Sequence, residues 1–137
     1  MKGTYALMID LPEQTSIEVG RLGEIRFDRG FYAYIGSAMN GLENRIERHL
    51  GEDKKLYWHI DYLLEESDIE KVLFGVSDEK KECEVAEGIS GSFTIVKNFG
   101  SSDCECDSHL FHSKGFSRLE KKIRSSFKES GLTTEEW

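Results

Sequence analysis

The stretch Gly30-Phe31-Tyr32-Ala33-Tyr34-Ile35-Gly36-Ser37-Ala38-Met39-Asn40-Gly41-Leu42-Glu43-Asn44-Arg45-Ile46-Glu47-Arg48-His49-Leu50 decides the reading of this chain. Phe31 to Ile35 are aromatic or apolar and stop at Gly36, which predicts a buried strand. Asn40-Gly41 is a turn and helix-start signal. Leu42, Ile46 and Leu50 then recur every four residues, which predicts one buried stripe of a helix. Arg45 and His49 are also four apart and lie beside that stripe. The strand end therefore delivers Tyr34, and the helix can deliver Arg45 and His49, to one place. A phenol, a guanidinium and an imidazole on one cleft suit the handling of a phosphate. Taken alone, Tyr34 in an apolar strand reads as core, and Arg45 as a solvated helix residue.

Working outward, Thr4 to Leu11 is a continuous apolar run that predicts a central strand ended by Pro12. Ser16 to Val19 and Glu24 to Phe27 alternate around Gly20-Arg21-Leu22-Gly23, which predicts a hairpin. Tyr57 to Glu66 reads as a second helix and Ile69 to Val76 as a strand. A third helix runs from about Glu79 to Ile89, capped at Ser77-Asp78, and Ser92 to Lys97 is a short strand. Phe99 to His112 reads as irregular. Phe116 to Ser130 is an amphipathic helix on Phe116, Leu119, Ile123 and Phe127. The expectation is one α+β unit, a small mixed sheet with helices, with residues 1–113 as its body and 114–137 as a basic helix and tail packed on it.

The 137 residues carry a net charge of −8, unevenly spread. Residues 1–113 hold twelve basic and twenty-two acidic side chains, a net −10, whereas Lys114 to Lys128 hold six basic ones against Glu120, a net +5. Such a balance excludes a generic nucleic-acid coat protein but suits an acidic body that meets a phosphate backbone on one side. No stretch approaches the roughly 20 apolar residues of a membrane span. Asp10 interrupts the first apolar run too early for a signal peptide, and three cysteines do not make a secreted framework. A cytoplasmic protein without a membrane partner is expected.

Gly3-Thr4-Tyr5 and Tyr34-Ile35-Gly36, followed by Arg45 and His49, resemble the motifs of the GIY-YIG nuclease superfamily. Gly-Phe-Tyr-Ala-Tyr-Ile-Gly-Ser-Ala, Trp58-His59-Ile60-Asp61-Tyr62-Leu63, Glu82-Cys83-Glu84-Val85-Ala86, Phe99-Gly100-Ser101-Ser102-Asp103-Cys104 and Ser108-His109-Leu110-Phe111 resemble its Uri-type branch of small stand-alone proteins. The resemblance spans about Gly3 to His112. Thr4 stands where the first motif has Ile, and the interval from Tyr5 to Tyr34 is long, placing residues 15–30 as an insertion beside the site.

The resemblance implies metal-dependent hydrolysis of a phosphodiester, with DNA favoured over RNA as the partner. Tyr5 or Tyr34 would activate water, although a phenol of pKa near 10 must first be lowered by a metal or by Arg45. Arg45 and His49 would meet phosphate charge, and one Mg²⁺ or Mn²⁺ would aid the leaving oxygen. A glutamate of the third helix would hold that ion, Glu84 first and Glu82 in reserve, since residues two apart point about 200° apart. Ser37, Lys54, Lys55, His59, Arg118, Lys121 and Lys122 are the candidate nucleic-acid contacts. Trp58, His59 and Tyr62 read first as packing.

Cys104, Cys106, His109 and His112 offer four donors for zinc. A buried reduced cysteine pair with a packed histidine is the preferred reading of that segment. Two other functional classes stand beside the nuclease. One is a module that binds nucleic acid or protein without cutting. The other is a subunit whose basic helix docks on a larger assembly.

Overall fold

The structure is a computed structural model that describes residues 1–52, 55–102 and 104–137. Its centre is β1 (Gly3–Leu11), whose apolar run without alternation is covered on both faces. β1 pairs antiparallel with β4 (Gly30–Ala38) on one side and with β5 (Asp68–Val76) on the other. β7 (Leu110–Ser113) and β6 (Thr94–Ile95) continue beyond β4, and β8 (Glu135–Glu136) closes the opposite edge, giving the order β6-β7-β4-β1-β5-β8. The class is α+β, as expected, but the sheet is antiparallel rather than mixed. β4 and β5 do run the same way, yet β1 lies between them and opposes both.

The period-two alternation of β1 divides the core into two layers. Tyr5, Leu7, Ile9 and Leu11 join Tyr32, Tyr34, Leu42, Ile46, Ile60 and Leu63 on one face. That face is covered by α1 (Leu42–Leu50), α2 (His59–Leu64) and the two-stranded hairpin β2 (Thr15–Glu18) and β3 (Glu24–Phe27). Ala6, Met8, Ala33, Ile35 and Leu73 face the other way. There they meet α3 (Glu82–Ile89) and α4 (Phe116–Glu129), through Val85, Ala86, Ile89, Leu119, Ile123 and Phe127.

Several local expectations change. Leu50 is 44% exposed, and His49 completes the buried stripe of α1 with Leu42 and Ile46. The helix ends there because Gly51 leaves the helical conformation for an extended one (φ −72°, ψ 148°), its N–H still bonded to Glu47 and Arg48. α3 begins at Glu82, three residues later than expected, because Ser77 Oγ accepts the Glu79 N–H in a turn ahead of the helix. β7 lies within the segment read as irregular, where polar neighbours masked the buried Leu110-Phe111 pair. The hairpin joins the same hydrophobic cluster as the tyrosines. Phe27 packs edge-on against Tyr32 and Phe99, and Phe99 in turn packs on Tyr34.

Candidate functional site

Tyr5 stands opposite Gly36 in the β1–β4 ladder. Its ring lies over that glycine so closely that a Cβ there would meet the phenol carbon and oxygen at 2.6 and 2.5 Å. The glycine therefore makes room for the phenol, which projects towards α1. There the Tyr5 hydroxyl lies 2.8 Å from His49 Nε2, in a buried hydrogen bond. Tyr34 packs beside both, with its ring centroid 6.5 Å from Tyr5 and 6.3 Å from His49. Gly100, at φ +70°, comes close over the Tyr34 ring, where any Cβ would sit 2.8 Å from a ring carbon.

Burial pushes the Tyr5 phenol up to about 12, and it does so against the lowering effect of the neighbouring Arg45. Burial also raises Tyr34 well above the ordinary phenol value, with Tyr5 and Glu82 adding to the effect. Neither tyrosine is therefore an anion at neutral pH. This corrects the expectation that Arg45 would bring a phenol down: desolvation outweighs the guanidinium. A protonated Tyr5 donates to His49 Nε2 when that imidazole is neutral with its proton on Nδ1. His49 thus orients the Tyr5 hydroxyl.

Arg45 is half-buried above this pair. Its Nη1 donates to the Ser37 carbonyl at 3.2 Å, and its guanidinium lies 4.4 Å from the Trp58 ring centroid. Among the described residues no carboxylate pairs with it, so its charge stays available to an anion. Arg48, on the same helix, is differently employed. It grips Asp61 with two nitrogens at 2.9 and 3.0 Å, bonds the Lys55 carbonyl, and stacks at 4.3 Å on Trp58. Asp61 also accepts the N–H groups of Tyr57 and Trp58 at the start of α2. Burial alone would raise the Asp61 carboxyl, but the hydrogen bonds from Arg48, Trp58 and Tyr57 hold it below its usual value. This buried pair fixes Trp58 between two arginines, and it leaves Tyr57 77% exposed beside them.

Of the two glutamates, the reserve is the one whose charge reaches the tyrosines. Glu82 opens α3 partly buried, and its charge bears on both Tyr5 and Tyr34. Glu84 is exposed and lies 3.5 Å from Lys81, so it is no part of the cleft. Helical spacing did not separate the two, because the stripe of Val85, Ala86 and Ile89 packs on the face of the sheet away from Tyr5. A lone carboxylate oxygen donor among hydroxyls suits a hard divalent ion that keeps most of its waters.

The remaining expected contacts scatter. Ser37 lies at the site through its carbonyl, and its buried Oγ has no partner among the described residues. His59 Nδ1 accepts the Gly100 N–H at 2.9 Å, and burial lowers its pKa, so it holds the loop over Tyr34 as a neutral ring. Lys55 lends its carbonyl to Arg48, and Lys54 lies outside the described residues. Arg118, Lys121 and Lys122 belong to α4, on the far face of the sheet, and do not join the cleft. A hollow of about 460 Å³ touches the site only through His49. Its other walls include Glu52, Glu65 and Asp68, a poor lining for a polyanion.

A second cluster lies at the start of α3. Cys83, Cys104, Cys106 and His109 place their sulfur and nitrogen atoms within 4.8 Å of one another and could hold a metal ion. His112, expected in this group, is elsewhere: its Nε2 lies 3.0 Å from the Arg29 carbonyl oxygen and its ring packs on Tyr32. It is three residues past His109 on a strand, so the pleat turns it to the opposite face. Cys83 was missed because it is a helix residue far from the other three in the chain. Its only signal was its type, a third cysteine in a chain with two others close together.

The fold and these two clusters define an α+β domain with a buried tyrosine–histidine pair beneath an arginine that no carboxylate pairs among the described residues, next to a Cys₃His group. The chain belongs to the family described as domain of unknown function DUF123, whose model matches residues 4–132. No curated protein and no solved structure matches it. Among the described residues, no helix is long and apolar enough to cross a membrane.

Proposed function

We propose that this protein is a divalent-metal-dependent endonuclease of the GIY-YIG kind, acting on nucleic acid, DNA in preference to RNA. The observation that supports it is the hydrogen bond from Tyr5 to His49, set beside Tyr34, Arg45 and Glu82. Arg45 meets a phosphate oxygen with the donors that Ser37 does not use, and Trp58 keeps the guanidinium in place. This gives charge where the pentavalent centre develops it. Tyr5 takes the proton of the attacking water as its own passes to His49 Nε2, so no free phenolate at a pKa of about 12 is required. Tyr34 stands close by and positions the water. Glu82 would hold one hydrated Mg²⁺ or Mn²⁺, which would supply Lewis acidity to the leaving oxygen. Such a protein works in the cytoplasm, where its thiols stay reduced.

A screen of single-stranded, double-stranded, branched and damaged DNA, and of RNA, with Mn²⁺ and then Mg²⁺ tests the proposal. Wild type cuts at least one form, Tyr5→Phe, Arg45→Ala and Glu82→Gln each abolish cutting, and Glu84→Gln retains it. Absence of cutting by folded wild-type protein in every lane overturns the reading. One observation favours a second reading, binding without cutting: both phenols are held protonated, while exposed Tyr57 offers a stacking ring next to Arg48 and Arg45. Salt-dependent affinity for single strands without cleavage, lost in Tyr57→Ala and Arg45→Ala, is the result that this second reading requires.

A further inference from the structure

We propose that Cys83, Cys104, Cys106 and His109 bind one structural Zn²⁺, and that this ion fixes Glu82 against the tyrosines. The part that concerns Glu82 rests on the nuclease reading; the zinc site stands without it.

Donor chemistry and spacing support the ion. A tetrahedral zinc with bonds of about 2.3 Å to sulfur and about 2.0 Å to nitrogen needs S···N edges of about 3.5 Å and S···S edges of about 3.8 Å. His109 Nε2 lies 3.5 Å from Cys104 Sγ and 3.9 Å from Cys83 Sγ, and all four donor atoms fall within 4.8 Å of each other. The three cysteines are unbridged, and three sulfurs with one imidazole form a closed set without a carboxylate or an open position. Soft donors of this kind select zinc over the hard ion proposed for Glu82. The hydrogen bonds they make to one another are weak recompense for collecting four such groups at one point.

The surrounding chain shows what the ion would do. Among the described residues of 96–109 the core comes mainly from Phe99, and the backbone is held by scattered bonds such as Asn98 N–H to Asp107 O and His109 N–H to Phe99 O. His109 is fastened to the sheet, since its carbonyl accepts the Ile35 N–H next to Tyr34. On the other side, the middle of α3 is anchored to α4, where Ser126 Oγ donates to the Val85 carbonyl. The first turn of α3 has no side-chain cap. Lys81 pairs with Glu79 and with Glu84 at the surface. The Cys83 thiolate on zinc would tie this loose turn to His109, and through it to β4. Glu82, the residue before Cys83, would then be held at the Tyr5–Tyr34 cleft.

The test uses the full chain and the metals themselves. Metal analysis and native mass spectrometry of the wild type are expected to find one zinc per chain. Zinc stripped by a chelator and replaced by Co²⁺ is expected to give thiolate-to-cobalt charge-transfer bands and the strong visible bands of a tetrahedral site. His112→Ala is expected to keep the ion. Cys83→Ser and Cys106→Ser are expected to weaken zinc retention by more than about tenfold, since even outer-shell losses cost that much. Removing zinc is expected to speed amide exchange in residues 82–86 and 104–109, and adding Zn²⁺ to restore protection. In cleavage assays, Cys83→Ser is expected to raise the Mn²⁺ concentration needed for half activity more than it changes the substrate KM.

Folded protein with no zinc, with iron in its place, with a disulfide among the three cysteines, or with zinc lost in His112→Ala overturns the site. Zinc without any change in exchange on its removal overturns the clamp. These readouts do not depend on cleavage, so failure of the nuclease reading leaves them intact.

Discussion

Asp61→Asn is the substitution whose cost can be worked most directly from the structure. Asp61 is fully buried and, among the described residues, accepts four hydrogen bonds, two from Arg48 at 2.9 and 3.0 Å and one each from the Tyr57 and Trp58 N–H groups at 2.9 and 2.8 Å. Asparagine keeps one acceptor oxygen but turns an N–H₂ towards groups that only donate. Breaking a buried ion pair costs roughly 3–5 kcal/mol. Arg48 keeps the Lys55 carbonyl and the Trp58 face and is 28% exposed, so the low end applies, about 3 kcal/mol. For a chain of this length that is a fall in Tm of about 10 °C.

The pH dependence has a definite sign. The folded carboxyl titrates below its unfolded value, so its contribution is full above the unfolded pKa and is lost as pH falls through the folded one. The gap between wild type and variant, followed by thermal unfolding, is therefore wide at neutral pH and closes below about pH 4. A variant within about 2 °C of wild type at pH 7 would refute the reasoning, as would a gap that widens in acid.

Other perturbations separate the parts of the site. Tyr5→Phe removes the hydroxyl bonded to His49 and is expected to abolish cleavage while costing only about 1–2 kcal/mol of stability. Because the Tyr5 phenol is raised to about 12, its contribution is complete below pH 10 and is lost as pH climbs towards 12. The alkaline limb of an unfolding titration is accordingly shallower in Tyr5→Phe, and an identical limb would contradict the assigned burial. Gly36→Ala puts a methyl 2.5 Å from the Tyr5 oxygen, so it should displace the phenol and cost about 1–3 kcal/mol, with activity lost at temperatures where the variant is folded. Full activity there would show that the close approach is not needed. Glu82→Gln and Glu84→Gln should differ in Mn²⁺-dependent cutting, and equal loss or equal retention would remove Glu82 from its role.

What the sequence revealed and what it hid follow from how far each relation reaches along the chain. Tyr34, Arg45 and His49 lie within one strand, turn and helix, so their convergence is a local consequence of two periodicities. The match of Tyr5 with Gly36 needed only that β1 pair with the next long strand. By contrast, the Glu82 side of the cleft depends on where α3 starts, and Ser77 delays that start by a turn that no periodicity predicts. The Cys₃His group unites a helix with a loop, a non-local pairing that residue spacing does not encode. The basic residues of α4 were misjudged for a different reason. Net charge reports how much positive charge a helix carries, but its face is set by Leu119, Ile123 and Phe127, which turn the helix to the side of the sheet away from Tyr5.

That separation of faces bears on how a substrate would approach. The acidic body cannot draw in a polyanion by its overall field, and the basic helix is on the wrong side to guide it to the tyrosines. Local charge must therefore do the work. Arg45 and Arg48 bracket Trp58 on the tyrosine side, with Arg48 neutralised by Asp61 and Arg45 opposed by no carboxylate among the described residues. Binding that depends mainly on this arginine and on stacking at exposed Tyr57 would be weakly salt-dependent, because few phosphates are neutralised. It would also favour bases that are already unstacked, since the Tyr57 ring needs a π-face to meet. A single-stranded, frayed or branched substrate satisfies these two demands together, whereas a continuous duplex offers phosphates to a surface with little charge for them and keeps its bases from the ring.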